Sequence, residues 1–336
     1  MKLTFFITLA IGAVSAIFAN SAAAQQLSGA GASFPAPLYQ RWAVEYNKLH
    51  PNVQVNYQSV GSGAGVKQFT QGTVDFAASD AAMSDEEIEK VKQGVIMIPA
   101  TAGSIVIAYN LPEVKDLKLS RDAYVGIFLG KITKWNDPAI AKDNPDVKLP
   151  DLPINVAFRS DGSGTTFVFT KHLSAISPDF ADEVGTDKSV TWPAGAGGKG
   201  NEGVTALVKQ TPGTIGYVEY GYAVNNGLST ASLQNKAGKF VKPTDESGAA
   251  TLSHVEFPEN LRIWPEDPAG DHDYPIATFT WLLLYKKYSD AAKLKALQEF
   301  ITYGLTDGQK FSNELGYIPL PAAVVEKSKA ALASAQ

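Results

Sequence analysis

Short apolar runs alternate with amphipathic segments along most of this chain, and this alternation constrains the fold more than any other feature of the sequence. Residues 53–57, 105–109 and 154–158 are rich in β-branched and aromatic side chains, which is typical of β-strands. After Pro35, apolar residues recur at three- and four-residue spacing, which predicts a helix that ends near His50. Strands alternating with helices indicate an α/β fold.

The second half of the chain shows the same two patterns and two long segments without either. Apolar residues at helical spacing predict one helix around 294–301 and a last helix over about 324–332. The glycine-rich residues 195–203 and the Pro/Asp-rich residues 264–273 are predicted to be irregular loops.

The N-terminus has the three parts of a secretory signal peptide. Lys2 is basic, residues 3–18 are almost all apolar, and small residues end at Ala24. We therefore predict cleavage near Ala24 and leave residues 1–24 out of the fold. A membrane anchor is the alternative, but the apolar run is shorter than the roughly 20 residues needed to span a bilayer. No later run has the length and apolar character to do so.

The chain contains no cysteine among its 336 residues, which excludes disulfides, thiolate metal sites, cysteine nucleophiles and a lipid-anchoring cysteine. It has 29 Lys and Arg against 34 Asp and Glu, a net charge of -5, which disfavours nucleic acid as a partner. An anion must therefore be held by a local site. An exported chain without a lipid anchor fits a bounded compartment such as the periplasm.

Three segments place a hydroxyl residue among glycine or alanine, directly before a helix-like stretch: 31–35, 61–65 and 161–166. Each combines free backbone N–H groups, the positive end of a helix and a hydroxyl, and glycine lets an anion approach the backbone. For any one of them alone, ordinary helix capping is the more common explanation. Three such turns that converge would form a cage for an oxyanion.

Arg159 lies directly ahead of the third turn, and Asp161 follows two residues later. A guanidinium suits a tetrahedral oxyanion because its paired N–H groups match two oxygens. Asp161 could hold that guanidinium in place. The alternative is a surface ion pair beside a capped helix.

Asp80 ends a strand-like segment, where α/β proteins place ligands. A carboxylate in an anion site is useful if the anion carries a proton. It can accept a hydrogen bond from phosphate, which is protonated at neutral pH, and it repels sulfate, which is not. The alternative for a lone Asp is a helix N-cap or a loop ion pair.

Enzyme motifs fit this chain poorly. Ser163 and Ser62 lack the spacing of a hydrolase elbow, and the four histidines show no triad or metal spacing. The acidic loop 267–273 is a weak metal candidate. Residues 196–200 resemble a nucleotide-binding loop, but Gly200 stands where Ser or Thr must reach the metal. We predict no catalytic residue, no metal ion and no cofactor.

Taken together, several segments resemble the periplasmic phosphate-binding proteins of high-affinity phosphate ABC transporters. The likeness extends from about Leu27 to Val325 and is distributed over many motifs rather than one. The matching segments are 29–39, 57–68, 75–80, 130–137, 161–170, 192–201 and 213–220.

The resemblance implies a two-lobed, type II Venus-flytrap fold that closes over one dehydrated phosphate. It implies an approximate division into a first lobe of 25–100 plus 270–336 and a second lobe of 101–269. Crossings between lobes are expected near 99–104 and between about 258 and 275. The phosphate-binding residues implied are Ser33, Phe34, Ser62, Asp80, Arg159, Ser163, Gly164 and Thr165, with Asp161 supporting Arg159. Ser33 departs from the family, where Thr is common, but it keeps the hydroxyl.

The resemblance also implies the role of the protein and its partner. We expect a periplasmic monomer that binds inorganic phosphate with high affinity and delivers it to the membrane permease of an ABC importer. Sulfate or molybdate is the alternative ligand, and Asp80 is the residue that discriminates between them. A secreted phosphatase or a phosphate-linked adhesion protein is the alternative from another functional class, although no pair of nucleophile and base is visible.

Overall fold

A computed structural model describes residues 25–336, so the predicted signal peptide lies outside the described residues. The strands are β1 (Gln25–Gly31), β2 (Val53–Ser59), β3 (Phe76–Ser79), β4 (Val95–Tyr109), β5 (Lys118–Leu119), β6 (Asn155–Arg159), β7 (Ala196–Gly198), β8 (Thr214–Glu219), β9 (Ser229–Thr230), β10 (Ser232–Gln234), β11 (Phe240–Val241) and β12 (Ala277–Tyr285).

The helices of the described residues are α1 (Ala36–Leu49), α2 (Ser62–Thr70), α3 (Asp85–Glu89), α4 (Arg121–Phe128), α5 (Pro138–Asp143), α6 (Gly164–Ile176), α7 (Pro178–Glu183), α8 (Gly200–Gln210), α9 (Tyr220–Asn225), α10 (Asp245–Ser253), α11 (Ala291–Leu305), α12 (Ser312–Leu315) and α13 (Ala322–Ala333). A 3₁₀ turn covers Asp307–Phe311.

The main sheet has the strand order β2-β1-β3-β12-β4-β8-β6-β7, with β9 paired to β4. A small second sheet has the order β11-β10-β5. Most pairs outside β12 and β4 are parallel and are linked by helices, as the alternating sequence pattern predicts. The predicted α/β class is therefore confirmed.

β4 belongs to both halves of the main sheet. Residues 95–104 pair with β12, and residues 105–109 pair with β8. We call the sheet on the β12 side, with β1, β2 and β3, the first half, and the sheet formed by β8, β6 and β7 the second half. The strand changes its neighbour between Ser104 and Ile105. The chain returns to the first half through the segment that precedes β12.

The predicted helices are confirmed, and one predicted loop is wrong. The helix after Pro35 is α1, and the two C-terminal helices are α11 and α13. Residues 264–273 contain no helix or strand, as predicted. The glycine-rich segment 195–203, however, contains β7 and the start of α8. Glycine composition misled that prediction, because Gly200, at a φ of 70°, turns the chain directly from the strand into the helix.

The periodic stripe of α1 is the face that packs on the first half. Leu38, Trp42 and Tyr46 are buried, and the Trp42 indole donates a hydrogen bond to the Gly308 carbonyl at 2.9 Å. Burying such side chains stabilises the fold by about 2–3 kcal/mol each. Gly304 of α11 allows this packing, because a Cβ there would lie 2.5 Å from the Trp42 ring. Within residues 25–336, no helix has the length and apolar character to span a bilayer.

Candidate anion-binding site

Four segments that begin helices meet where the two halves of the main sheet join. They precede or begin α1, α2, α6 and α8, and the first three are the turns selected from the sequence. Hydrogen bonds connect them directly: Gly164 donates its backbone N–H to the Ser62 hydroxyl, and Asn201 donates to the Ser33 hydroxyl. The three turns therefore converge, which is the condition that the sequence set for an oxyanion cage, and α8 adds a fourth segment.

Ser33 and Phe34 are held in a rigid loop between β1 and α1. The carbonyl oxygens of residues 32–34 each accept a 2.7 Å hydrogen bond from a buried tyrosine, in order Tyr57, Tyr222 and Tyr317. Ser33 and Phe34 are almost fully buried. Within residues 25–336, the Phe34 backbone N–H has no hydrogen-bond acceptor. A buried N–H of this kind is a ready donor to a ligand.

Ser62 lies at the first position of α2, between Asp80 and the second half of the sheet. Its hydroxyl accepts hydrogen bonds from the backbone N–H groups of Asp80 at 3.3 Å and Gly164 at 3.1 Å. The next residue, Gly63, donates its N–H to the Gly162 carbonyl at 2.8 Å. A Cβ at Gly63 would lie 3.2 Å from the Cα atom of Gly162, so this approach of two backbones depends on glycine.

Arg159 ends β6, and its side chain is 1% exposed, so the alternative of a surface ion pair does not hold. Its Nε and Nη2 donate to the two Asp161 oxygens at 2.8 and 2.6 Å. Nη1 donates to the Thr165 hydroxyl at 3.3 Å. Burial opposes ionisation of Asp161, yet the hydrogen bonds and charge of Arg159 hold its pKa below the usual value. The guanidinium is thus fixed and largely neutralised before any anion binds.

Asp80 is buried just after β3, and it is neither a helix cap nor a member of an ion pair. The antiparallel register of β3 with β12 places Thr280 beside it, and the Thr280 hydroxyl donates to Oδ1 at 2.7 Å. Burial raises the pKa of Asp80 to about 7, and the Thr280 hydrogen bond and the charge of Arg159 offset part of that effect. Asp80 can therefore exchange a proton with a ligand near neutral pH.

The turn before α6 combines capping with donor groups. The Ser163 hydroxyl accepts from the Thr166 N–H at 3.0 Å and so caps the helix, which was the alternative interpretation of this turn. The Ser163 N–H donates to the Lys188 carbonyl at 2.8 Å. Gly164 fits tightly, because a Cβ there would lie 2.5 Å from the Ser62 Oγ and 2.6 Å from the Asp80 Oδ2. Thr165 is fully buried with its hydroxyl toward Arg159.

Two further residues reach this site that sequence reasoning did not select. Thr280 comes from β12, about 200 positions from Asp80, and no local pattern marks it. Asn201 donates through Nδ2 to the hydroxyls of Ser33 at 2.9 Å and Thr165 at 3.2 Å. Its signal was present in the sequence, because Asn201 follows a glycine that begins a helix, but the segment was interpreted as a loop.

The site is a buried cluster of hydrogen-bond donors with one carboxylate, Asp80, that is not paired with a cation in the described part of the chain. Hydroxyls, backbone N–H groups and one guanidinium supply the donors, and Asp80 supplies an acceptor. Within residues 25–336, no group of three His, Cys, Asp or Glu side chains could hold a metal ion. His172 is buried in the second half, where its Nε2 forms a 3.0 Å hydrogen bond with the Tyr124 hydroxyl. Burial lowers the pKa of His172 to about 4.

The fold and this site define a two-lobed binding protein with a ligand cleft at the junction of its lobes. A family model described as a PBP superfamily domain matches residues 18–307. The chain belongs to this superfamily and, within it, to the family of phosphate-binding proteins named PstS.

Two relatives and one solved structure illustrate the match. A phosphate-binding protein PstS from Pasteurella multocida is 45% identical and covers 93% of this chain and 91% of its own. One from Haemophilus influenzae is 44% identical over 98% of this chain and 97% of its own. The structure of a phosphate-binding protein from Stenotrophomonas maltophilia has a TM-score of 0.73 at 24% identity, covering 91% of this chain and 93% of its own. That structural likeness supports the two-lobed fold.

Proposed function

We propose that this protein binds inorganic phosphate with high affinity and delivers it to the permease of an ABC-type phosphate importer. The observation that carries this proposal is the buried junction of donor groups around one protonatable carboxylate, Asp80. A purely donor-lined pocket would suit any tetrahedral oxyanion, whereas Asp80 favours one that brings a proton. The PstS relatives, which match over almost the whole chain, support the same ligand.

We further propose that the residues selected from the sequence are the ligands of the phosphate. Ser33, Ser62, Ser163 and Thr165 would donate through their hydroxyl groups, because the Ser163 N–H already donates to the Lys188 carbonyl. Phe34 and Gly164 would donate through their backbone N–H groups. Arg159 would provide two N–H groups and remain oriented by Asp161. The expected outcome is a buried anion held by charge-assisted hydrogen bonds in a protein of negative net charge.

We infer that the two halves of the main sheet are the two lobes, and that they separate to admit and release the ligand by hinge motion. The partner change of β4 at Ser104 and the segment before β12 would be the two crossings. The proposed location is the periplasm, reached with the aid of a signal peptide cleaved near Ala24. The proposed role is binding and transport, without catalysis.

Calorimetric titration of residues 25–336, stripped of phosphate, tests the ligand. We expect tight one-to-one binding of phosphate and no heat from sulfate near neutral pH. Equal binding of sulfate would remove Asp80 as the selector, and silence with both anions would contradict the proposal. Turnover of a chromogenic phosphate ester would instead favour a phosphatase.

Arg159→Ala tests the site itself. The change removes the only side-chain cation placed against Asp161 and Thr165 in the described site, so phosphate affinity should fall by about a hundredfold or more, about 3 kcal/mol. Arg41→Ala is the matched control, because Arg41 also pairs with carboxylates but lies on the outer face of α1. Unchanged affinity in Arg159→Ala would exclude this site.

A further inference from the structure

Asn201 occupies a position between the two halves that the proposed function does not yet explain. It is fully buried at the second residue of α8. Its backbone N–H and its Nδ2 both donate to the Ser33 hydroxyl, at 3.0 and 2.9 Å, and Nδ2 also donates to the Thr165 hydroxyl at 3.2 Å. One side chain thus contacts two proposed ligand hydroxyls, one from each half.

The orientation of the Asn201 amide is fixed by a neighbour whose role is unambiguous. Its Oδ1 accepts the backbone N–H of Glu219 at 2.9 Å, and a backbone N–H can only donate. The carbonyl oxygen of the amide must therefore face Glu219, and the NH₂ group must face the hydroxyls. A flipped amide would set two donors against each other at Glu219.

The acceptor capacity of both hydroxyls is consequently used by the protein. A hydroxyl oxygen has two lone pairs. At Ser33 both receive hydrogen bonds from Asn201. At Thr165 one receives a bond from Asn201 and the other from the Arg159 Nη1. What each hydroxyl has left is its hydrogen.

We propose that Asn201 is a positioning residue that fixes the hydroxyls of Ser33 and Thr165 as donors to the bound anion. This inference rests on the proposed phosphate site. Asn201 itself needs no contact with phosphate. It acts by occupying acceptor lone pairs of the two hydroxyls, so that each hydroxyl can only donate to the anion. A protonated phosphate can then donate its hydrogen bond to Asp80 but not to either hydroxyl. Asn201 therefore increases the selectivity for a protonated anion that Asp80 provides.

A second explanation makes a different prediction. Because Ser33 and Asn201 come from different halves, their hydrogen bonds could matter simply as a strap that holds the cleft closed. Thr165 and Asn201 lie in the same half, so their contact contributes nothing to such a strap. Coupling between Asn201 and Thr165 in ligand binding therefore separates the two explanations.

The experiment is a pair of double-mutant cycles in phosphate affinity, measured by calorimetry on residues 25–336. Asn201→Ala is combined with Ser33→Ala in one cycle and with Thr165→Val in the other. Each single change should weaken binding by about tenfold or more, the value of a charged hydrogen bond. In both cycles the double variant should lose little more phosphate affinity than the single variant with the larger loss, because Asn201 acts through these hydroxyls.

Additive losses in the Thr165 cycle would overturn the proposal, whatever the Ser33 cycle gives. Asn201→Asp provides a second variant of the same shape in case the alanine variant does not fold. Its carboxylate can accept from the two hydroxyls and turn them away from phosphate. We therefore expect its phosphate affinity to fall by more than about tenfold relative to the unmutated protein, whereas a smaller loss contradicts the proposal.

Asn144→Ala is the matched control. Asn144 is also a buried asparagine with three hydrogen bonds, but its partners lie at Lys118 and Ile140, away from the site. It should lower stability and leave phosphate affinity within about twofold. Absence of phosphate binding in the unmutated protein would count against the proposed function itself, whereas intact binding with additive cycles would count against Asn201 alone.

Discussion

Asp80 shows how one side chain can set the selectivity of a site made of donors. It is buried, it accepts a hydrogen bond from Thr280, and its second oxygen lies where the Gly164 turn approaches. A protonated anion can donate to it, whereas a fully ionised anion meets like charge in a desolvated space. The selectivity therefore comes from repulsion as much as from attraction.

Asp80→Asn should remove this discrimination. The amide no longer repels an ionised oxygen and can donate to it through its NH₂ group, so sulfate should begin to bind. The affinity for phosphate should fall by about tenfold to a hundredfold, because a charged hydrogen bond is lost. Competition between phosphate and sulfate in a calorimetric titration gives the ratio directly, and a variant that still ignores sulfate would refute the role of Asp80.

The raised pKa of Asp80 also predicts how stability without ligand depends on pH. The unfolded carboxyl loses its proton near pH 4, whereas the folded one keeps it up to about pH 7, so the folded state binds more protons between these values. Stability should therefore fall as pH rises through this window, by on the order of 4 kcal/mol from this group.

Urea unfolding in phosphate-free buffer tests whether stability falls as pH rises. Asp80→Asn should be clearly more stable than the unmutated protein at pH 8 and similar to it at pH 4. The same variant should bind phosphate less tightly, although it is more stable at pH 8. A constant difference between the two proteins at both pH values would mean that Asp80 does not titrate in this range.

At this scale the sequence indicated the side chains that lie beside unusual local patterns. Ser62 and Arg159 border glycine-rich turns, and Asp80 ends a strand, so composition and position marked them. Thr280 and Asn201 could not be selected in the same way. Their importance arises from strand register and from a turn at Gly200, both of which depend on contacts distant in the sequence.

Among the helices, α6 begins at a position where there is no room for a side chain. It begins at Gly164, whose missing side chain leaves space for the Ser62 hydroxyl and the Asp80 carboxylate of the other half. The backbone N–H of the same residue donates to the Ser62 hydroxyl at 3.1 Å. The helix start is thus both an electrostatic feature and a surface that the opposite half must approach.

Gly164→Ala should weaken phosphate binding by about tenfold to a hundredfold, the range expected for overpacking. The added Cβ would lie 2.5 Å from the Ser62 Oγ, so the halves cannot close as they do here. Stability without ligand should change little if the halves can part. Stopped-flow fluorescence and thermal unfolding measure the two quantities.

Gly227→Ala is the informative comparison. Gly227 has a φ of 68° and open space around it, so alanine there costs about 1 kcal/mol of stability and should leave binding unchanged. If both variants lost the same affinity, the loss would reflect stability rather than closure.

Helices and strands were predicted where one periodicity runs uninterrupted, as in α1 and α11. The error at 195–203 has a physical cause. Glycine usually signals a loop, but here it permits close packing of β7 against α8, since a Cβ at Gly198 would lie 2.5 Å from the Gly203 carbonyl carbon. Composition alone does not distinguish these two uses of glycine.

In the whole molecule, the two halves also meet at the rim of the cleft. Lys188 of the second half donates to Glu87 of α3 at 2.5 Å, and both side chains are partly exposed. This ion pair closes no part of the ligand site. It can still favour the closed arrangement of the two halves.

Lys188→Met should raise the phosphate dissociation rate by up to about fivefold, since a partly exposed ion pair contributes about 1 kcal/mol or less. The effect should shrink at high ionic strength. Lys131→Met is the control, because Lys131 pairs with Asp179 and Glu183 within the second half. A rate unaffected by Lys188→Met at low ionic strength would show that the pair does not contribute to closure.

The two-lobed arrangement came from the resemblance and not from periodicity. Alternating strands and helices indicate a sheet, but they do not reveal that β4 is shared by two halves. That feature depends on β12, which enters the sheet between β3 and β4 from a position far along the chain. Long-range insertion of this kind leaves no trace in local sequence patterns.

The position of β12 also affects the order in which the chain can fold during synthesis. β3 and β4 lie on either side of β12 (Ala277–Tyr285), whose nine residues are all buried, so the sheet of the first half stays incomplete until residue 285 has been made. The second half is formed largely by the continuous stretch from 105 to 219 and can assemble earlier. The half that contains β1 is therefore the last to become a stable unit, and a nascent chain that ends before β12 has no complete cleft.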